Sequence, residues 1–252
     1  MINVEFRFYG ELNDLLPKQK KQECYSTEVT LRSSVKDAIE SQRIPHVEVA
    51  GLFVNDQPVG WDYILSDGDR ITVYPRGFSL PNPDGKLELF PYPDPPQFVL
   101  DVHLGKLARY LRLLGFDTLY YSEDVGDETL AEVSAIENRI LLTFDHQLLM
   151  RNIVKIGRLV RNRDPVDQIR EIVDRFDLMD KIESFSRCIN CNNLLVQPEK
   201  LEQLESAPPL IREKNGNDLT LYQMCEGCGN LYWAGSHTDH MISEMEKLGI
   251  EL

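Results

Sequence analysis

Two apolar segments decide the fold of this chain: Phe98-Val-Leu-Asp-Val102 and Arg139-Ile-Leu-Leu-Thr143. Both have the length and bulk of buried parallel strands, and each carries an aspartate at or just past its carboxyl end, Asp101 and Asp145. A third acidic pair, Asp127-Glu128, opens the helical pattern between them. Because ligands bind at the carboxyl edge of open α/β sheets, these acids are predicted to meet there and to hold a divalent metal ion.

Helical and strand patterns alternate from residue 98 to residue 184. Apolar residues recur at helical spacing after the first strand, and Gly115 follows them as a C-terminal stop. Further strands are predicted at 118–121 and 157–160, and Asp164-Pro165 begins another helix with a capping aspartate and a proline at the first position. Repeated strand–helix units of this kind predict an α/β domain with a three-layer parallel sheet.

Length and composition limit the number of domains and the class of protein to which this chain can belong. At 252 residues the chain is long for one domain, and two or three are expected. The hydrophobic fraction of 42% is ample for buried cores, and no apolar run approaches the roughly 18–20 residues of a membrane helix. The first residues, Met1-Ile-Asn-Val-Glu-Phe6, do not have the basic and then apolar pattern of a signal peptide. A cytoplasmic protein without a membrane partner is therefore predicted.

The chain is acidic overall, but one segment, the basic strip, carries mostly positive charge. A net charge of −14 argues against indiscriminate nucleic-acid binding, which depends on neutralising phosphates. Residues 139–163, however, hold six arginines and lysines and a single acid, Asp145. Lys106, Arg109 and Arg112 add a helical stripe just upstream. These basic residues could hold a selective anionic substrate, or they could form a solvated face.

The first 78 residues have the pattern of a β-grasp domain. The predicted order is strand, strand, helix, strand, strand, at 4–8, 22–25, from Ser34, 52–54 and 71–74. Phe6-Arg-Phe-Tyr-Gly-Glu-Leu12 and Asp67-Gly-Asp-Arg-Ile-Thr-Val-Tyr-Pro75 resemble the ubiquitin-like sulfur carriers of thiamine and molybdopterin synthesis. Those carriers react through a free C-terminal diglycine, whereas this chain continues past Gly77-Phe78. The domain is therefore expected to be a binding or scaffolding module.

The second domain, 98–184, resembles a known nuclease family. Its motifs Asp101, Leu104-Gly-Lys-Leu-Ala-Arg109, Leu111-Arg-Leu-Leu-Gly115 and Leu141-Leu-Thr-Phe-Asp145 look like the Mut-seven C-terminal RNase domain, a PIN-like nuclease fold. That family carries a C-terminal zinc ribbon and sometimes a ubiquitin-like domain in front, so the resemblance covers essentially the whole chain. It implies that Asp101, Asp127 and Asp145 match the acids of PIN-type nucleases, with Thr143 in their Thr-x-Asp turn. Phe144 departs from the arginine usual in the family.

Phosphodiester hydrolysis explains why such acids are needed. One or two Mg²⁺ or Mn²⁺ ions can activate a water and neutralise the leaving oxygen, and these ions prefer carboxylate ligands. The expected ligands are Asp101 and Asp145, with Asp127 bound directly or through water and Glu128 as a supplement; Lys106, Arg109 and Arg112 are expected to hold the RNA backbone. Taken singly, Asp127 and Asp145 could instead be helix caps.

A pair of cysteine knuckles is the strongest single motif. Cys188-Ile-Asn-Cys191 and Cys225-Glu-Gly-Cys228 supply four thiolates, the ligand set of structural zinc, and leave no open position for catalysis. Disulfides are the alternative, but they are rare in the cytoplasm. Residues 185–252 are therefore predicted to be a zinc ribbon, in which His237 resembles a family position that could approach the substrate. Cys24 is left over and is expected to be buried.

The domain boundary before the nuclease-like domain lies in residues 79–97. This segment holds six prolines, which favour extended conformations and remove backbone donors, so it is predicted to be a semi-rigid linker. The resulting order is a β-grasp domain at 1–78, the linker, a PIN-like domain at 98–184 and a zinc ribbon at 185–252.

Three function classes remain open from the sequence. The favoured one is a metal-dependent ribonuclease with RNA as its substrate. The second is an inactive RNA-binding or adaptor protein, with a protein partner bound by the β-grasp domain, and Phe144 leaves room for this alternative. The third is a nuclease that acts on DNA through the same acids. Activity on labelled RNA and DNA, with Mn²⁺ and with a chelator, separates the three.

Overall fold

The computed structural model describes residues 1–75, 92–204, 206–215, 218–233, 236–247 and 249–250. In chain order its strands are β1 (Ile2–Phe8), β2 (Tyr25–Val29), β3 (Val49–Val54), β4 (Gln57–Pro58), β5 (Arg70–Pro75), β6 (Gln97–Leu100), β7 (Asp117–Tyr120), β8 (Ile140–Thr143), β9 (Gly157–Leu159), β10 (Tyr222–Met224) and β11 (Leu231–Trp233). Its α-helices are α1 (Val35–Ser41), α2 (Gly105–Leu113), α3 (Asp127–Ile136), α4 (His146–Leu149), α5 (Pro165–Phe176), α6 (Pro209–Asn215) and α7 (Ser236–Lys247). Within this described part of the chain, no helix has the length and apolar character needed to span a bilayer.

These elements form two compact units that do not follow chain order. The first unit contains residues 1–94 and 125–160, and the second contains residues 95–124 and 161–252. Residues 125–160 thus group with the N-terminal residues, although the sequence pattern places them in the middle of the nuclease-like domain. Residues 76–91, which include most of the segment predicted as a linker, lie outside the described residues.

The N-terminal part of the first unit is a β-grasp sheet, as predicted. Its strand order is β2-β1-β5-β3-β4, with β1 and β5 parallel and the remaining pairs antiparallel. The helix α1 begins at Ser34, whose hydroxyl accepts the amide of Asp37 at 3.1 Å. Val35 and Ile39 of this helix are buried in the same core as Phe6. The helix is therefore held by its apolar face, and its cap satisfies one free amide of the first turn.

The predicted position of the second strand was wrong by three residues. The strand begins at Tyr25, which pairs with Phe6, and not at Gln22. Gln22 belongs to the preceding turn, since it has a left-handed φ of 57° and its amide donates to Asn13 Oδ1 at 2.6 Å. Cys24, which was expected to be buried, is exposed at the end of this turn.

The remaining part of the first unit contains a parallel strand pair and two helices. Strands β8 and β9 pair with the register Leu141 to Gly157 and Thr143 to Leu159. All four residues of β8 are buried, as expected of an uninterrupted apolar strand. The helix α3 precedes β8 and α4 follows it, which is the strand–helix alternation predicted from the sequence.

The second unit begins with another parallel pair, β6 and β7, connected by α2. Phe98 of β6 lies edge-on to Phe116 and to Phe176 of α5, with ring centroids 6.0 Å apart in both pairs. Gly115 ends α2 as predicted, because it has a φ of 94° and a Cβ there would lie 2.3 Å from the carbonyl oxygen of Glu183. Asp164 caps α5 through the amides of Val166 and Asp167, also as predicted.

The end of the second unit is a small ribbon. Strands β10 and β11 form an antiparallel hairpin in which Tyr222 pairs with Trp233. Among the residues described here, Leu204, Ala207 and Tyr222 form the buried apolar cluster of this region. Such a core is small for independent folding, so an additional cross-link is expected.

Candidate functional site

Four thiols come together in the ribbon. The Sγ atoms of Cys188, Cys191, Cys225 and Cys228 all lie within 4.8 Å of one another. A tetrahedral zinc ion with Zn–S bonds of about 2.3 Å requires sulfur atoms about 3.8 Å apart. The observed separations of 3.5 Å between Cys188 and Cys228, and 3.3 Å between Cys191 and Cys225, fit that requirement. Within the described ranges, this is the one group of three or more possible ligands close enough to share an ion.

Each pair of cysteines sits on the same kind of backbone turn. The amide of Asn192 donates to Cys188 O at 2.9 Å, and the amide of Gly229 donates to Cys225 O at 2.8 Å. Both Asn192 and Gly229 have left-handed φ values, 72° and 74°, which asparagine and glycine tolerate best. The matching turns form two cysteine knuckles whose four thiols come together, an arrangement compatible with a zinc site.

The surroundings of the thiols also shift their pKa values. Burial opposes ionisation of Cys188, but hydrogen bonds from the hydroxyl of Tyr232 and from nearby backbone amides outweigh it and lower its pKa to about 6. Burial raises the pKa of Cys191. The Tyr232 hydroxyl lies 3.1 Å from Cys188 Sγ, where it would act as an outer partner of this thiolate in a zinc site. Tyr232 was not among the site residues predicted from the sequence, although its place on β11, four residues after Cys228, was a usable signal.

Arg112 does not lie on the surface with the other basic residues of α2. It is only 5% exposed, and its guanidinium donates to the carbonyl oxygens of Thr118 at 3.0 Å, Ile189 at 3.1 Å and Asn190 at 2.7 Å. The last two carbonyls belong to the first cysteine knuckle. The prediction that Arg112 holds RNA is therefore wrong, because its donors are used inside the protein. Its charge instead lies beside a cluster of thiolates.

Replacing Arg112 by methionine is expected to lower the free energy of unfolding by about 3 kcal/mol, since three carbonyl oxygens lose their donor at about 1 kcal/mol each. The matched control is Arg109→Met on the exposed side of the same helix, which should change stability by less than about 0.5 kcal/mol. Urea denaturation of the zinc-loaded proteins measures both values. Equal stabilities of the two variants would contradict the structural role of Arg112.

A second set of contacts ties the first knuckle to β7. Asn192 accepts the amide of Thr118 through Oδ1 at 2.9 Å and donates to Asp117 Oδ1 through Nδ2 at 2.8 Å. Arg187 donates to the carbonyl oxygens of Gly115 and Asn192 at 3.1 and 3.0 Å. The side chains of Arg187 and Asn192, one on each side of the first cysteine knuckle, thus connect this knuckle to β7 and to Gly115 just before it.

Asp145 and Thr143 form a compact turn after β8. The amide of Asp145 donates to Thr143 Oγ1 at 2.8 Å, and Asp145 Oδ1 accepts the amides of Gln147 at 2.6 Å and Leu148 at 3.4 Å. Asp145 is therefore the N-cap of α4, one of the alternatives considered from the sequence. Within the described residues Oδ2 has no hydrogen-bond partner. Thr143 is fully buried, and its hydroxyl shapes this turn by accepting the amide of Asp145.

The other acids lie at the starts of helical turns. Asp101 follows β6 and caps the 3-10 turn Val102–Leu104, where its side chain accepts the amide of His103 at 3.3 Å. Asp127 is the first residue of α3, whose cap is Gly126, so the cap alternative for Asp127 is wrong. Asp127 Oδ2 lies 3.9 Å from the Nη2 atom of Arg151, and Glu128 is exposed.

The basic strip at 139–163 is largely used within the protein. Arg139 is buried and pairs with Glu137 at 2.7 Å, and Arg151 pairs with Asp127. Arg158 is buried among acids of the β-grasp domain. The exposed positive charges of the predicted substrate stripe are instead Lys106 and Arg109, one helical turn apart on α2. The side chain of His237 lies outside the described residues.

Two family profiles match the chain. The profile of the Mut7-C RNAse domain matches residues 96–245, and that of the Mut7-C ubiquitin domain matches residues 1–80. The first match alone covers more than half of the chain. The chain belongs to the Mut7-C RNase domain family. The Mut7-C RNase match contains all the predicted nuclease residues and both cysteine knuckles, and the ubiquitin match contains all five strands of the β-grasp sheet.

Solved structures similar to this Mut7-C chain are small proteins. The putative molybdopterin converting factor, subunit 1, from Pyrococcus furiosus is 21% identical, with a TM-score of 0.25, and the alignment covers 30% of this chain and 98% of that one. The small archaeal modifier protein 1 of Haloferax volcanii is 12% identical, with the same TM-score and the same shares covered. No curated protein matches the chain. The β-grasp assignment rests on the Mut7-C ubiquitin match and on the sheet order described above.

Proposed function

We propose that this Mut7-C protein is a metal-dependent ribonuclease that hydrolyses RNA phosphodiester bonds at a carboxylate-bound Mg²⁺ or Mn²⁺ site. The observation that carries the proposal is the placement of two aspartates inside the Mut7-C RNase match. Asp101 directly follows the parallel strand β6, and Asp145 follows the parallel strand β8 after one residue. The carboxyl ends of parallel strands are where α/β proteins bind their ligands.

The donor set suits a hard cation. The amides of Gln147 and Leu148 donate to Asp145 Oδ1, so Oδ2 remains available to a metal ion. Magnesium keeps several of its waters, so one or two direct carboxylate ligands are enough and further acids can act through water. We assign Asp101 and Asp145 as direct ligands, Asp127 as a ligand directly or through water, and Glu128 as a supplement. Binding of the cation would have to draw these acids together, because among the described residues they do not form a group close enough to share an ion.

The bound cation would supply an activated water and charge stabilisation at the leaving oxygen. The protein itself would hold the substrate, because Lys106 and Arg109 present two exposed positive charges on one face of α2. Contacts of this kind bind phosphates and carry no base information, so they favour RNA binding without strong sequence preference. A reducing compartment such as the cytoplasm would keep the four cysteines available for zinc.

The direct test incubates zinc-loaded protein with labelled RNA and with labelled DNA of the same sequence, over a Mn²⁺ titration. Cleavage of RNA that rises with Mn²⁺ and stops on its removal is expected. Zinc content is measured in parallel, because a strong chelator would also strip the cysteine site. RNA binding without cleavage would favour the inactive adaptor, in which the β-grasp domain binds a protein partner. Preferential cleavage of DNA would favour the third function class.

The double variant Lys106→Ala, Arg109→Ala is expected to weaken the salt dependence of RNA binding. Each lost phosphate contact reduces the slope of log K against log salt by about 0.7 for a single strand, so the expected change is about 1.4. Fluorescence anisotropy at several salt concentrations measures it. The matched control, Lys18→Ala with Lys21→Ala on the β-grasp domain, removes the same charge elsewhere and should leave the slope unchanged. An equal effect of the two double variants would show that only net charge matters.

A further inference from the structure

Within the first unit, the β-grasp domain makes hydrogen bonds to several positions of the segment that runs from α4 to β9. His146 Nε2 donates to the carbonyl oxygen of Arg43 at 2.7 Å, at one end of this segment. Lys36 Nζ donates to Asn152 Oδ1 at 2.6 Å, near its middle. His46 Nε2 donates to the carbonyl oxygen of Val154 at 2.8 Å, and His46 itself is buried. Contacts at three separate positions indicate a built interface.

A buried ion pair lies at the other end of the interface, where β9 contacts the β-grasp domain. Arg158 of β9 is 3% exposed and pairs with Glu11 through two hydrogen bonds of 2.8 Å, one to each carboxylate oxygen. Glu48, which is fully buried, accepts a third hydrogen bond from Arg158 at 3.0 Å and the amide of Leu159 at 2.8 Å. A buried, bidentate pair of this kind is unfavourable unless all partners stay in place, so it specifies one arrangement.

Backbone packing at Gly157 depends on the same interface. A Cβ at Gly157 would lie 2.7 Å from Leu149 of α4, 3.0 Å from the carbonyl oxygen of Leu141 in β8 and 3.5 Å from Val47 of the β-grasp domain. Three elements therefore meet at this residue. Since β9 is the last strand of its sheet, the β-grasp domain covers an edge that would otherwise have unsatisfied amides such as that of Leu159.

The contact closest to the proposed catalytic chemistry is that of His146. His146 is the first residue of α4 and directly follows Asp145, which caps this short helix. Its acceptor, the carbonyl group of Arg43, lies just beyond the end of α1, where Arg43 has a left-handed φ of 63°. A four-residue helix has little stability of its own, so a side-chain anchor in its first turn limits its motion.

We propose that the β-grasp domain is a positioning domain for the nuclease: through the His146–Arg43 hydrogen bond it fixes the turn that carries Asp145. His146 is a positioning residue and does not itself contact the substrate or the metal. This inference rests on the proposed function, in which Asp145 binds the catalytic cation. It gives the ubiquitin-like domain, which the sequence predicts to be a binding or scaffolding module, a task inside the chain.

The test compares three full-length variants. His146→Leu removes the donor, and His146→Gln keeps an N–H donor at the end of a side chain of similar reach. Lys36→Met removes a different hydrogen bond of the same interface, the one from Lys36 to Asn152. It leaves the Asp145 turn untouched. Hydrogen exchange of the peptide covering 143–150 is measured first, because this readout does not depend on cleavage.

Faster exchange at 143–150 is expected for His146→Leu only, together with Mn²⁺ binding that is weaker by about 10-fold and a reduced kcat at unchanged KM for RNA. His146→Gln should restore all three. Unchanged exchange at 143–150 in His146→Leu, or equal changes in Lys36→Met, would overturn the proposal. A different result would contradict the proposed function itself: full Mn²⁺-dependent cleavage by the Asp145→Asn variant.

Discussion

Asp145→Asn is expected to reduce Mn²⁺-dependent RNA cleavage by at least about 100-fold while leaving the fold intact. Asparagine caps helices about as well as aspartate, so the hydrogen bonds from Gln147 and Leu148 survive the change. What disappears is the negative charge that would hold the cation. Even outer partners of metal ligands cost about 10–100-fold when removed, and a direct ligand should cost more. Single-turnover cleavage of labelled RNA at saturating Mn²⁺ measures the loss.

The matched control is Asp164→Asn. Asp164 caps α5 through two backbone amides, as Asp145 caps α4, but it lies in the second unit and is not a proposed ligand. Its variant should cleave RNA at the wild-type rate. Wild-type cleavage by Asp145→Asn would remove Asp145 from the mechanism, and an equal fall in both variants would trace the effect to helix capping.

Removal of zinc is expected to unfold the ribbon over residues 187–233. Its apolar cluster is small, and the four thiols lie close enough to share one ion, so a zinc ion would take the place of a hydrophobic core. Structural zinc binding contributes about 10–16 kcal/mol in small zinc-binding peptides, which is comparable to the stability of about 5–15 kcal/mol of a whole domain. Loss of protection should also reach β7, because Asn192 and Arg112 tie the first knuckle to Thr118. Hydrogen exchange before and after chelation measures both regions.

Two cysteine variants complete this experiment. Cys191→Ser removes one ligand and should lower the zinc content below one ion per chain. Cys24→Ser removes the exposed cysteine outside the cluster and should leave the zinc content at one. A ribbon that keeps its exchange protection after complete loss of zinc would contradict the structural role of the metal.

Local patterns predicted the elements that carry the site. The caps at Ser34 and Asp164, the helix stop at Gly115 and the two knuckles all depend on residues a few positions apart, and each was found where the sequence placed it. The main error in the β-grasp sheet, the start of β2, had a nonlocal cause. The amide of Gln22 is held by Asn13, nine positions away, and this contact extends the turn.

The roles of the arginines could not be predicted in this way. Arg109 and Arg112 have the same charge and are one helical turn apart, yet only Arg112 is buried. Its acceptors include Ile189 and Asn190, which are 77 and 78 positions away in sequence. Arg158 similarly depends on Glu48 and Glu11, 110 and 147 positions away. A charged side chain is buried only where distant segments supply its partners.

The sequence alone therefore determined the β-grasp and α/β patterns, the family resemblance and the cluster of four cysteines. These depend on periodicity and on spacing within a few residues, which the local backbone geometry translates directly into structure. The tertiary structure decided which basic residues stay exposed and which domain provides a hydrogen-bond acceptor to His146, beside the Asp145 turn. Both depend on contacts between remote segments, whose energies exist only after the chain has folded.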